Sequence, residues 1–127
     1  MEKRFLIWGF IFGITAILLG AFGAHALREI LSERQLDSFE TGIRYQMYHA
    51  LLLVLLSQIK YLQTKSVLLM TVIGVFLFSF SIYLLSIKNY WGMEYLSFLG
   101  PVTPLGGLLL ILTWGSLLVK VIRIRAK

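Results

Sequence analysis

Apolar residues in this chain come in four long runs, and the charged residues fall in the gaps between them. Residues 5–27, 45–59, 66–87 and 95–119 contain no Lys, Arg, Asp or Glu. Runs near twenty residues match the roughly 30 Å hydrocarbon core of a bilayer at about 1.5 Å of rise per helical residue. Lipid offers no partner to a bare backbone N–H or C=O, so such segments must be helices. The pattern predicts an all-α integral membrane protein. Its architecture is an antiparallel up-down bundle of four transmembrane helices, at about 5–27, 43–62, 66–87 and 103–122, in one domain over 1–127.

The gaps have structure of their own. Ser32 followed by Gln35 fits a capping box, and Leu36, Phe39, Ile43 and Met47 recur at helical spacing. They predict a short amphipathic helix in the first outer loop, lying on the surface and leading into span two with a bend at Gly42. The loop over 60–65 is short enough to force an antiparallel pair. Tyr90 and Trp91 in the loop over 88–94 suit the headgroup level. Thr103 and Pro104 read as an N-cap and a first helical position, and Pro101 disfavours helix at Gly100. Residues 95–102 then form an interfacial or partly re-entrant approach. The second and fourth helices have uncharged cores shorter than the other two, which predicts a shallow depression on the outer side.

Charge sets the expected orientation. Lys3, Arg4, Lys60, Lys65, Lys120, Arg123, Arg125 and Lys127 lie on the side of the termini, against Arg28, Arg34, Arg44 and Lys88 on the other. Positively charged loops stay inside, so both termini are expected in the cytoplasm of a multi-pass cell-membrane protein. Composition agrees: 58% of residues are hydrophobic and the mean hydropathy is +0.83. Net charge is +6, but the basic residues flank apolar runs instead of forming a face, so no nucleic-acid partner is expected. The chain has no cysteine, which excludes disulfides, thiol catalysis and thiolate metal sites. Ala24-His25-Ala26 imitates a signal-peptidase site, yet the run before it exceeds the usual signal core, which favours a retained span.

Polar residues inside the runs are the candidates for function. His25 and His49 are the two histidines, and Gln46 lies three residues before His49, on the same expected helix side. Ser79, Ser81 and Tyr83 fall on the outward half of span three, and Thr103 begins span four. Polar groups in lipid are costly without partners, so these seven are expected to converge under the outer surface. They could fix helix register, bind a lipid, quinone or haem, or relay protons in an oligomer. No buried carboxylate pair, nucleophile–base motif or phosphate loop points to an enzyme. Arg44 either pairs with Glu40 or contacts an anionic headgroup. Gly9, Gly13, Gly20 and Gly23 in span one, with Gly106 and Gly107 in span four, are expected at close helix contacts within the chain or in a homo-oligomer. The bilayer itself is the expected partner, and no metal or resident cofactor is expected.

Four ordered motifs carry a family resemblance. They are Gly20-Ala21-Phe22-Gly23-Ala24-His25-Ala26-Leu27, Thr41-Gly42-Ile43-Arg44-Tyr45-Gln46-Met47-Tyr48-His49-Ala50-Leu51, Phe78-Ser79-Phe80-Ser81-Ile82-Tyr83 and Thr103-Pro104-Leu105-Gly106-Gly107. Together they resemble the small bacterial four-span inner-membrane proteins catalogued as domain of unknown function number 423, with eukaryotic transmembrane protein 256 as a distant relative. The resemblance implies the same architecture and assigns no reaction. Phe80 stands where that family often has glycine, which implies a looser helix approach there.

Overall fold

In the computed structural model, which describes residues 1–88 and 90–124, the described residues form helices and short connections, with no strand among them. Helix α1 (Glu2–Phe22) runs on through one wide π-helical turn, Gly23–Leu27. Helix α2 is Glu33–Leu56. Helix α3 (Lys65–Val75) passes through a second wide turn, Phe76–Phe80, into α4 (Ser81–Ile87). A 3-10 segment, Glu94–Leu99, leads into α5 (Val102–Arg123). Two expected orientation residues, Arg125 and Lys127, lie outside the described residues.

Three helical stretches are long and apolar enough to cross a membrane: Glu2–Leu27, Lys65–Ile87 and Glu94–Arg123. The surface is inverted relative to a soluble protein. Ile14, Ile17, Leu18, Leu51, Leu55, Ile111, Leu118 and Ile122 are all more than half exposed, an apolar surface that water would not tolerate and lipid welcomes. Beneath it, Phe5, Phe12, Leu53, Leu56, Val67 and Val75 form the main core. Leu27, Leu31, Phe39 and Tyr83 form a second, smaller one.

Helix α2 departs from the expected pattern. The amphipathic segment is not a separate element, because 33–56 is one continuous helix, and Gly42 sits inside it without breaking it. The capping box is present: Ser32 Oγ accepts from the Gln35 N–H at 3.2 Å, and Gln35 Oε1 accepts from the Ser32 N–H at 2.9 Å. Helix α2 ends at Leu56, short of the expected 62. Gln63 folds back to donate to the carbonyls of Leu56 and Ser57 at 2.9 and 2.7 Å, which satisfies helix-end acceptors and stops the helix. At the other end of the molecule α5 begins two residues earlier than the Thr103–Pro104 cap predicts, with Pro101 in the cap position. Thr103 is therefore not the cap, and its hydroxyl is free for a tertiary bond.

The helices pair antiparallel. Along α1 and α2, Gly9 faces Ala50 and Val54, Gly20 faces Ile43, and Gly23 faces Phe39. Along the other pair, Gly74 faces Leu109 and Leu110, Thr71 faces Thr113, and Gly106 faces Leu77 and Phe78. Helix α2 also packs on α4, and aromatic contacts of Trp8 and Phe12 with Phe76 tie α1 to the second wide turn.

The glycine expectations hold unevenly. Added methyls at Gly9 and Gly106 would collide with the neighbouring helix, one at Gly23 would press on the Phe39 ring at 3.2 Å, and one at Gly13 would meet open space. Gly20 and Gly107 are in ordinary contact only. The looser approach expected beside Phe80 is not found. An added Cβ on Gly106 would run into the backbone of Leu77 and Phe78, so α5 lies directly on the wide turn. Phe80 allows this because its ring turns away, stacking on Phe76 at 4.9 Å and meeting Tyr83 edge-on at 5.4 Å.

Candidate functional site

The seven polar candidates form not one cluster but three bonded groups and a bystander. Gln46 is fully buried and heads the first group. Its amide nitrogen donates to the Phe12 carbonyl at 2.9 Å and to Thr15 Oγ1 at 2.6 Å. Its amide oxygen accepts from the Tyr83 hydroxyl at 2.7 Å. One side chain of α2 thereby holds α1 on one side and α4 on the other. Both of its N–H donors and its carbonyl oxygen are engaged, which is the condition for placing an amide in a dry interior.

His49 belongs to the second group and faces a different helix. Its Nδ1 lies 2.7 Å from the Tyr45 carbonyl, and its Nε2 lies 3.1 Å from Trp114 Nε1 of α5. A carbonyl can only accept and an indole N–H can only donate, so Nδ1 carries the proton and Nε2 is bare. This geometry fits one neutral tautomer. Gln46 and His49 were expected on one side of the helix. A three-residue step leaves them about 60° apart around it, enough inside a bundle to reach different neighbours. Trp114 is half-exposed. Its N–H would lack a partner in lipid, and His49 supplies one.

Ser79 in the second wide turn and Ser81 just after it make up the third group, with Thr103. Ser79, fully buried, donates to the Gly42 carbonyl at 2.7 Å, joining the turn to α2. Ser81 and Thr103 place their hydroxyl oxygens 2.5 Å apart, joining α4 to the start of α5. Ser81 also donates back to the carbonyls of Leu77 and Phe78, which the wide turn leaves under-used. Among the described residues, no buried side-chain nitrogen or oxygen lacks a partner.

His25 stands apart. It is exposed on the first wide turn and makes no hydrogen bond with any described residue. Arg44 is exposed too. Its guanidinium donates to Thr41 Oγ1 at 2.9 Å, and no ion pair with Glu40 forms. It lines a small hollow with Gly20, Gly23, Glu40 and Ile43.

Several participants were missed. Thr15 and the buried pair Thr71 and Thr113, with hydroxyls 3.5 Å apart, are hydroxyls within apolar runs that the same cost argument could have flagged. Trp114 was counted as apolar, although its indole carries a donor. Gly42 and Gly74 were overlooked as packing positions, and added methyls there would lie 2.6 Å from Tyr83 and 2.8 Å from Leu110.

Two hollows open at the ends of the molecule. The first, about 440 Å³, lies between the start of α2, α4 and the start of α5. Arg34, Gln35, Ser38, Ser86 and Thr103 supply its polar lining. The second, about 460 Å³, lies between α3 and the charged end of α5.

Comparison with known sequences gives a consistent picture. Residues 19–107 match the family described as "Protein of unknown function (DUF423)". The UPF0382 membrane protein YwdK of Bacillus subtilis (strain 168) is 38% identical, over 95% of this chain and 98% of its own length. A UPF0382 membrane protein of Haemophilus influenzae is 34% identical over 92% of each chain. The UPF0382 inner membrane protein YgdD of Escherichia coli (strain K12) is 33% identical over 100% of this chain and 96% of its own. No solved structure matches.

Proposed function

The chain belongs to the DUF423 family of proteins of unknown function, and we propose that it is a non-enzymatic, four-span protein of the cell membrane with a structural, lipid-interacting role. Gln46 carries this reading. A polar side chain awaiting substrate keeps its donors or its acceptor atom unengaged, whereas Gln46 uses both N–H donors and its carbonyl oxygen to join three helices. His49 is likewise engaged at both nitrogens, so serving as an axial ligand to haem would require breaking both bonds. The polar interior acts as a lock on helix register.

The fourth span in this reading is the inner half of α2. Gln46 meets Phe12 and Thr15, and His49 meets Trp114, each well inside an apolar stretch long enough to cross. Residues 45–56 therefore share their depth. The charged first half of α2 projects beyond the bilayer, and the excess of Lys and Arg near the ends of the chain supports cytoplasmic termini. Cysteine labelling from each side of sealed cells tests this arrangement. Cysteines at Ser38 and at Trp91 should react from outside, and one at Gln63 only after permeabilisation. Reaction of the Gln63 position from outside would overturn four spans.

A second reading rests on the hollow lined by Arg34, Gln35, Ser38, Ser86 and Thr103. It offers a cation and several hydroxyl or amide groups beside apolar Ile82, Leu85 and Pro104, a mixture suited to a small amphipathic ligand. Mass spectrometry of molecules retained through purification tests it. A species lost on Arg34→Ala would favour binding, and unaltered recovery would remove this reading.

A further inference from the structure

We propose that the cleft between α3 and the last turns of α5 is a binding site for an anionic phospholipid of the cytoplasmic leaflet, its phosphate held by Lys120, Arg123 and Ser66. The proposal rests on the four-span, lipid-interacting reading and adds a site and a headgroup chemistry to it.

The cleft combines two surfaces that a phospholipid needs together. Toward the chain terminus it presents Lys120, Arg123 and the hydroxyl of Ser66, with Val119 beside them, and deeper along the helices it presents Ser116, Met70 and Leu112. Its volume is about 460 Å³, room for a headgroup and the first part of an acyl chain. Gly115 forms part of the wall, and a Cβ added there would meet nothing within 4 Å. Behind the cleft Val67, Thr71, Thr113 and Leu117 are buried against one another. It therefore opens sideways toward lipid and not into the bundle.

Charge on this face is unbalanced. Five of the six acids, Glu29, Glu33, Asp37, Glu40 and Glu94, lie on the opposite face in this topology, leaving Glu2 alone here. No described acid pairs with Lys120 or Arg123, since the one ion pair among the described residues is Lys88 with Glu94. Lys120 is half-buried, so part of its surroundings is already dry. Helix α3 adds a further attraction. Thr64 Oγ1 caps the Val67 N–H at 3.2 Å, while the N–H groups of Lys65 and Ser66 belong to the open first turn, beside the cleft. A basic pocket between transmembrane helices on the cytoplasmic side is the arrangement expected to collect acidic headgroups.

Binding is tested on the full-length protein in detergent by native mass spectrometry, with added phosphatidylglycerol, phosphatidylcholine or glycerol 3-phosphate. Retention of phosphatidylglycerol should exceed that of phosphatidylcholine by roughly an order of magnitude, as two cations at a membrane surface allow. Glycerol 3-phosphate, which lacks acyl chains, should not compete at matched concentration. The Lys120→Gln/Arg123→Gln double variant should lose the preference, and Gly115→Leu, which fills open space, should lose retention with helix content unchanged. Lys3→Gln/Arg4→Gln, on the same face outside the cleft, should keep both. Equal loss in that control would overturn the site in favour of diffuse attraction, and displacement by glycerol 3-phosphate would show a simple phosphate site. External labelling of a cysteine at Ser116 would sink the four-span reading instead. Correct topology with equal retention of the two lipids would sink only this site.

Discussion

The two wide turns of this molecule have the same geometry and opposite surroundings. Phe76–Phe80 is pressed against α5 at Gly106, bonded through Ser79 to α2 and flanked by the Ser81–Thr103 pair. Gly23–Leu27 packs through Gly23 and Leu27, while His25 faces outward. A π turn inserts one residue and loosens the regular ladder, so it frees carbonyls and re-aims side chains. What that freedom is used for depends on the neighbours. In the second turn it ties three helices together, and in the first it leaves a histidine available to the outside.

Steric exclusion at Gly106 should dominate any attempt to break this contrast. Gly106→Ala drives a methyl into the backbone of the second wide turn and should destabilise by the upper part of ~1–3 kcal/mol, or prevent α5 from docking. Gly107→Ala, in ordinary contact with the Phe78 ring, should cost far less. Reversible unfolding in mixed micelles compares the two neighbours directly, and equal effects would show that the turn yields.

A smaller loss is expected where α5 meets α2. Trp114→Phe removes the donor to His49 and should cost about 0.6 kcal/mol, the average for interhelical bonds in membranes, and no more than ~1.7 kcal/mol. Nitrogen NMR of labelled histidine should find His49 neutral and protonated at Nδ1, and a proton on Nε2 would contradict the bond to Trp114. Least affected should be the first turn. His25→Gln is expected to change stability by less than ~0.5 kcal/mol, as surface substitutions do. Diethyl pyrocarbonate added to the folded protein should modify His25 and spare His49.

How much of this could be read beforehand followed the range of the interaction. Apolar runs and the Ser32–Gln35 capping box are local, and both are present in the structure. The wide turns have no marker in composition, and without them the directions of Ser79, Ser81 and Phe80 could not be deduced. Seven candidates were grouped by depth alone. Depth was informative, but rotation about the helix decided partners, sending Gln46 to α1 and α4 and His49 to α5. Arg44 found Thr41 one turn back instead of Glu40, a choice between nearly equivalent exposed partners that spacing cannot rank.

The proposal that the polar interior locks helix register is most exposed at the bond between Gln46 and Tyr83. A double-mutant cycle with Gln46→Leu and Tyr83→Phe, followed by unfolding in micelles, measures it. A favourable coupling of about 0.6–1.7 kcal/mol is predicted, with the lipids retained on purification unchanged in every variant. Additive effects on stability, accompanied by loss of a bound molecule, would contradict the account and make the same residues a binding site.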